Sequence, residues 1–179
     1  MSYLKTVSPE NATGQVAEVY KPVMDAVGMV PTPLQLISAS PNLLGLQKKV
    51  IDYYTTHPTL SQGLLALIRL LVAEEMQYDY CISLNSNILK MMGIASDDQL
   101  AAVMADPQQA PMEEKEKALL TLVLKACAKP EKVQEADIQK LRDLGWQDAD
   151  ILDAISHGLM MVQGGILAKA VGLPEGAAC

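Results

Sequence analysis

The stretch GLLALIRLLVA, from Gly63 to Ala73, constrains the fold of this chain more than any other. Its apolar side chains would cover most of the circumference of an α-helix, so this helix is predicted to be central and surrounded by other helices. Ser61 is placed to cap it, and we expect it to run to about Gln77. The stretch is only eleven residues long, which is too short to span a bilayer, and it contains the charged residue Arg69.

The remainder of the chain has the spacing of further helices. Apolar residues recur every three or four positions, and no segment of useful length shows the period of two that is typical of a half-buried strand. The predicted helices span residues 14–27, 33–39, 41–55, 61–77, 80–92, 96–104, 112–129, 135–144 and 148–171. The predicted fold class is therefore all-α, with eight or nine helices around a central helix hairpin.

Length and composition favour one domain over residues 1–179, with residues 1–12 as an N-terminal arm and residues 61–93 as the core hairpin. A chain of this size buries about 70% of its unfolded surface, so it needs neither a disulfide nor a metal to fold. Half of the residues (50%) are hydrophobic. This is a high share for a soluble monomer, and it predicts apolar surface reserved for self-association.

The charge of the chain argues against nucleic acid as a partner. The net charge is -7, whereas phosphates attract a basic surface. The first residues, MSYLKTVSPENATG, lack the basic start and apolar core of a signal peptide. The three cysteines are odd in number and widely spaced, which is not the pattern of a disulfide framework. We therefore expect a cytoplasmic protein with no membrane partner.

Four segments together resemble a known superfamily. They read ATGQVAEVY, PNLLGLQKKVIDYY, LSQGLLALIRLLVAEEMQYDYCISLNSNILKMMGI and MEEKEKALLTLVLKACAKPEKVQEADIQKLRDLGWQDADILDAI. The sequence resembles the alkylhydroperoxidase D (AhpD) and carboxymuconolactone decarboxylase superfamily, and most closely its peroxidase-related branch. The resemblance extends over nearly the whole chain. It implies an AhpD-like helical fold and assembly as a dimer, trimer or hexamer.

Active peroxidases of this superfamily carry a glutamate, then a C-x-x-C pair, then a histidine four residues after the second cysteine. One thiolate attacks the peroxide, the second thiol resolves the sulfenic acid, and the carboxylate and imidazole take up the proton. By resemblance, Cys81 matches the second cysteine and Tyr78 matches the first. Asn85 matches the histidine and Ala66 matches the glutamate. A phenol cannot act as the second thiol, and an amide cannot take up a proton at neutral pH. The resemblance therefore implies a degenerate redox site.

Two further residue types remain candidates for chemistry. Cys81 is either a small hydrophobe packed in a helix or a peroxide-reactive thiol near a helix N-terminus, and Tyr80 is its neighbour in the motif. His157 follows Asp153 by four residues, so it is either an ordinary core or interface imidazole or one half of an Asp–His pair. Cys179 is a terminal thiol that would resolve oxidised Cys81 only if it reached it. The histidine spacing gives no metal signal, and no cofactor is predicted.

These observations leave three hypotheses for function. The first is a peroxidase-related protein that has lost thiol cycling and binds, or acts on, a small apolar ligand in the former active-site pocket. The second is a single-cysteine peroxide reductase that uses Cys81 and an external thiol reductant. The third is a structural or partner-binding homo-oligomer.

Overall fold

The computed structural model describes residues 2–173, and the described chain is helical, with no strand in that range. Its helices are α1 (Gly14–Val27), α2 (Thr32–Ile37), α3 (Pro41–Thr55), α4 (Gln62–Glu75), α5 (Asp79–Met91), α6 (Asp97–Ala105), α7 (Glu114–Ala128), α8 (Glu135–Asp143) and α9 (Asp148–Ala170). Single 3₁₀ turns lie at Pro9–Asn11, Pro107–Gln109 and Pro130–Lys132. The all-α prediction is confirmed, and each helix ends within two residues of its predicted bounds.

The contacts of the chain define two compact units, one formed by the residues up to 57 together with those from 166 on, and one formed by residues 58–165. In the first unit, α1 and α3 pack around a small core, whose buried residues are Val16, Val19, Tyr20, Val30, Leu34 and Leu44. The N-terminal arm is fixed to this unit, since the Val7 amide donates to Ser38 Oγ at 2.7 Å. A single domain over residues 1–179 stays a prediction.

Helix α4 is the centre of the second unit. Leu64, Leu67 and Ile68 have no exposed surface, and α4 packs on both α5 and α7. The Ser61 hydroxyl caps α4 by accepting from the Leu64 amide at 3.1 Å. The prediction of a central, buried helix with an N-cap at Ser61 is confirmed. Since α5 follows α4 in a hairpin, residues on the first turns of α5 are held against the interior of this unit.

Within the second unit, α9 packs closely on α7 at a glycine. A Cβ atom on Gly158 would lie 2.6 Å from Val123 and 2.8 Å from the sulfur of Cys127, so only glycine allows this approach of α9 to α7. Within residues 2–173, α9 is the one helix long and apolar enough to cross a membrane, with a mean hydropathy of 1.4. A single helix of this kind is weak evidence for a membrane span, because core helices of soluble proteins can have the same composition.

Candidate functional site

The turn between α4 and α5 positions the motif residues. The Tyr78 amide donates to the Ala73 carbonyl at 2.9 Å, and the Gln77 amide donates to the Glu74 carbonyl at 3.0 Å. These two bonds are those of a Schellman motif at the C-terminal end of a helix. In this motif the first residue after the C-cap takes a left-handed conformation. Here that residue is Gln77, with φ of 55°, the one non-glycine residue with positive φ in the described chain. A tight, slightly strained turn therefore leads directly into the site.

Cys81 lies in the first turn of α5 and is half-buried. Burial raises the pKa of its thiol above the ordinary value, which favours the thiol over the thiolate at neutral pH. No side chain among residues 2–173 forms a hydrogen bond with its sulfur. The nearby carboxylates of Glu74, Glu75 and Asp79 are exposed at the surface. None of them is buried beside the sulfur as a general base would be.

The Tyr78 ring packs closely against α9 at Gly165. An added Cβ atom on Gly165 would overlap the Tyr78 ring, so the absence of a side chain at Gly165 is what makes room for the phenol. Burial raises the pKa of the Tyr78 hydroxyl, and the negative charge of a nearby Cys81 thiolate raises it further. The position that resembles the first cysteine is thus filled by a ring that packs on α9.

Asn85 is at the centre of a polar network that joins three helices. Its side-chain amide donates to the Cys81 carbonyl at 2.8 Å, one turn back in α5. Its side-chain oxygen accepts from Arg69 Nε of α4 at 2.8 Å. Arg69 Nη1 lies 3.1 Å from His157 Nε2 of α9. Asn85 and His157 are both buried, with 2% and 6% of their surface exposed.

The chemistry of arginine determines the state of this network. A guanidinium donates hydrogen bonds and accepts none, so His157 Nε2 must be the acceptor. His157 is therefore neutral, with its ring proton on Nδ1. Its Nε2 lone pair, which a general base would use, is directed at Arg69 instead of a substrate or thiol.

Arg69 is charged but has no carboxylate partner among residues 2–173. Burial lowers its pKa to about 10, still well above neutral pH. No aspartate or glutamate of residues 2–173 forms an ion pair with it. Ala66, one helical turn earlier on α4, is fully buried and has no polar group to offer. A buried cation held by neutral dipoles alone is costly, so the bonds from Arg69 to Asn85 and His157 matter for stability.

The structure brings together most of the predicted site residues within residues 58–165. Cys81, Tyr78 and Asn85 lie together at the start of α5, and His157 joins them through Arg69. Tyr80 is half-buried in the same turn of α5. Arg69 is the member of this network that the sequence reasoning missed. A single charge inside an otherwise apolar, buried helix was the available signal.

The other candidates lie apart from this network. Cys127 of α7 is half-buried against Gly158, and burial raises the pKa of its thiol to about 11. Cys179 lies outside the described residues. Residues 2–173 contain no group of three or more metal-ligating side chains. A cleft of about 330 Å³ lies between α7 and α8, near Thr121, Lys125 and Leu141, and none of the motif residues lines it.

Solved AhpD-like structures share the all-α fold of this chain, among them two peroxidase-related proteins. A peroxidase-related protein of uncharacterized function from Silicibacter sp. TM1040 has a TM-score of 0.81 and 18% identity, over 98% of this chain and 92% of its own. A second, from Ralstonia eutropha JMP134, is described as an alkylhydroperoxidase AhpD core and an uncharacterized peroxidase-related protein. It has a TM-score of 0.78 and 20% identity, over 97% of this chain and 92% of its own.

The similarity confirms the predicted fold, and at this level of identity it concerns the fold alone. No protein-family model and no curated protein sequence matches the chain significantly. Activity must therefore be argued from the residues of the site itself.

Proposed function

We propose that this protein is a peroxidase-related, AhpD-like protein that has lost self-contained thiol cycling and uses the former active site for a small apolar ligand. The observation that carries the proposal is the hydrogen-bond network of Arg69, Asn85 and His157. In it, the amide at the motif position and the nearest imidazole are both engaged with a guanidinium. Neither is available to take a proton from Cys81.

The other parts of a thiol cycle are also replaced. Burial raises the pKa of the Cys81 thiol above its ordinary value. A phenol stands where a resolving thiol would be needed, and a phenol forms no disulfide. These features support the loss of a thiol cycle that reduces peroxide and regenerates itself.

A peroxidase assay with a matched control tests the loss of thiol cycling. The purified protein is mixed with cumene hydroperoxide and dithiothreitol, and the consumption of hydroperoxide is compared with that of the Cys81→Ser variant. We expect equal rates, no greater than that of dithiothreitol alone. A turnover that requires Cys81 would overturn the loss of cycling.

The ligand half of the proposal has its own measurement. A native mass spectrum of the purified protein is expected to show an added small molecule that denaturation releases. The Asn85→Leu variant, which alters the site, should reduce its occupancy, whereas Met91→Gln at an exposed position should not. Equal occupancy in all three proteins, or no added mass in the unaltered protein, would contradict a ligand at this site.

A single-cysteine peroxidase is the second candidate, and one observation favours it. Cys81 is half-buried rather than sealed, in the first turn of a helix, where the positive end of the helix dipole favours a thiolate. In that reaction the thiolate would attack a hydroperoxide, release an alcohol and become a sulfenic acid. Two equivalents of an external thiol would then reduce it, releasing water and forming the disulfide of the reductant.

Intact-protein mass spectrometry separates the two candidates. Hydroperoxide is added without reductant, and oxygen addition at Cys81 is measured against free cysteine at the same concentration. Oxidation faster than that of free cysteine would favour the single-cysteine peroxidase. Oxidation slower than that of free cysteine would support the site without thiol cycling.

A further inference from the structure

The cleft between α7 and α8 is lined by side chains that the chemistry of Cys81 does not use. Its volume is about 330 Å³, and it lies wholly within residues 58–165. Apolar side chains form its floor, and they are those of Ala118, Leu122, Leu141 and Leu144. Ligand sites in proteins typically have volumes of about 300–1,000 Å³, an apolar lining and a few polar groups. The α7–α8 cleft therefore has the size and the lining of a site for a small molecule.

Three of the polar side chains around the cleft are already engaged with neighbours. Gln108 Nε2 donates to Thr121 Oγ1 at 2.9 Å, and the Thr121 hydroxyl donates to the Lys117 carbonyl at 2.8 Å. The Glu114 carboxylate forms an ion pair with Lys117 Nζ at 3.0 Å. The charge of Glu114 is thus compensated within α7, so it does not select a charged ligand.

The part of the cleft near the start of α8 has an excess of positive charge. Lys125 Nζ of α7 donates to Asp137 Oδ2 of α8 at 2.6 Å, and Lys140 follows Asp137 by one helical turn. The hydrogen bond from Lys125 lowers the pKa of the Asp137 carboxyl, and the nearby charge of Lys140 lowers it further. Lys140 itself forms no ion pair within residues 2–173. Two ammonium groups therefore lie near a single carboxylate, in a protein whose net charge is -7.

We propose that the α7–α8 cleft binds a small organic acid that has an apolar body and one carboxylate. The carboxylate accepts hydrogen bonds from Lys125 and Lys140, because each ammonium has three donors and Lys125 uses one of them on Asp137. The apolar body lies on the cleft floor. From Lys125 back to Ala118, α7 provides about 10 Å for that body, at about 1.5 Å per residue.

An acid fits this cleft better than an amine or a neutral molecule does. A ligand amine would be repelled by Lys140 and would compete with Lys125 for Asp137. A neutral molecule would cover the floor but leave the second ammonium without a counter-charge. Since none of the motif residues lines the cleft, this site is independent of the function proposed above.

The test uses octanoate and its neutral counterpart, octanamide, as probes. Each is titrated into the isotope-labelled, full-length protein, and the backbone amide shifts are followed by NMR until they stop changing. We expect saturable shifts concentrated in residues 118–125 and 137–144. Octanoate should bind more tightly than octanamide by about 5-fold, the contribution of one exposed ion pair. Added sodium chloride should weaken octanoate alone, because salt screens exposed charges.

Substitutions then identify the groups that bind each part of the probe. Lys140→Gln should reduce the affinity for octanoate to that for octanamide and leave octanamide binding unchanged. Lys132→Gln is the matched control, because Lys132 is also an exposed lysine and lies outside the cleft. Ala118→Leu fills the floor and should weaken both probes. Cys81→Ser should alter neither, so a failure of this proposal is distinguishable from a failure at the Cys81 site.

Three outcomes would overturn the proposal. The first is the absence of saturable shifts at the cleft with either probe. The second is equal affinity for octanoate and octanamide, which would leave an apolar patch without preference for an acid. The third is an equal loss of octanoate affinity in Lys132→Gln and Lys140→Gln, which would indicate attraction to positive charge in general.

Discussion

The adjacent glycines Gly164 and Gly165 allow a test in which the same substitution has opposite effects at neighbouring positions. Both lie inside α9, where alanine stabilises a helix by about 0.8–1.0 kcal/mol relative to glycine. An added Cβ atom on Gly164 meets nothing within 4 Å. An added Cβ atom on Gly165 overlaps the ring of Tyr78. The helix gains equally in both cases, so the difference between the variants isolates the contact with the ring.

We expect Gly164→Ala to stabilise the protein by about 1 kcal/mol. Gly165→Ala should be less stable than Gly164→Ala by about 1–3 kcal/mol, the usual cost of forcing an extra carbon into a packed site. The free energy of unfolding is measured by urea denaturation followed by circular dichroism. In thermal denaturation, each 1 kcal/mol corresponds to about 2–4 °C for a chain of this size.

A double-mutant cycle identifies the ring as the cause. When Tyr78→Ala has removed the ring, Gly165→Ala should become as stabilising as Gly164→Ala. If Gly165→Ala and Gly164→Ala stabilise the unaltered chain equally, the ring does not pack on α9 and the description of the site is wrong. A difference that persists without the ring would assign the crowding to some other group.

Three further changes test the turn, the polar network and the second buried thiol. Gln77→Gly should raise the unfolding free energy by about 0.5–1 kcal/mol, because glycine adopts a positive φ without strain. Asn85→Ala should lower it by about 2 kcal/mol, because the charged Arg69 Nε loses its acceptor. Burial raises the pKa of Cys127 to about 11, so its contribution to stability is complete below pH 9 and is lost as the pH rises to 11. Cys127→Ala should therefore flatten the fall in melting temperature between pH 9 and pH 11.

Each of these changes has a control at a similar position. Gln147 does not have a left-handed backbone conformation, so Gln147→Gly should not raise the unfolding free energy as Gln77→Gly does. Ser83→Ala, on an exposed face of α5, should be nearly neutral beside Asn85→Ala. For Cys127, the comparison is the pH dependence and not the absolute stability, since lysines and tyrosines titrate in both proteins. If the melting temperature of Cys127→Ala falls as steeply between pH 9 and pH 11 as that of the unaltered protein, the ionisation of this thiol is not coupled to unfolding.

The helices were predictable because their signals are local. Ser61 as a cap and the leucine-rich run after it identify α4 from neighbouring residues, and the hairpin with α5 follows from one short turn. The left-handed residue in that turn was not predictable in the same way, because glutamine rarely adopts it. The two amide bonds of the helix end hold Gln77 there, and they exist only once the hairpin has formed.

The polar network could not be predicted from spacing. The sequence suggested Asp153 as a partner for His157, because the two lie one helical turn apart. The structure adds Arg69, which is 88 residues away along the chain. Such a contact depends on how α9 packs against α4, and no periodicity within either helix reports it. Only the isolated charge in an apolar run indicated that Arg69 needed buried partners.

The contacts of Asn85 and Arg69 bear on whether a single substitution at position 85 or 66 would supply a base for Cys81. The Asn85 amide donates to the Cys81 carbonyl and at the same time accepts from Arg69. A neutral histidine at position 85 would form both bonds only if one ring nitrogen reached the Cys81 carbonyl and the other reached Arg69. Asn85→His alone would therefore disturb the partner of a buried cation before it supplied a base. A glutamate at position 66 would lie one turn from Arg69 and could pair with it instead of activating a thiol. The site is thus stabilised as a polar bridge between α4, α5 and α9, and either substitution, Asn85→His or Ala66→Glu, would act first on the partners of Arg69.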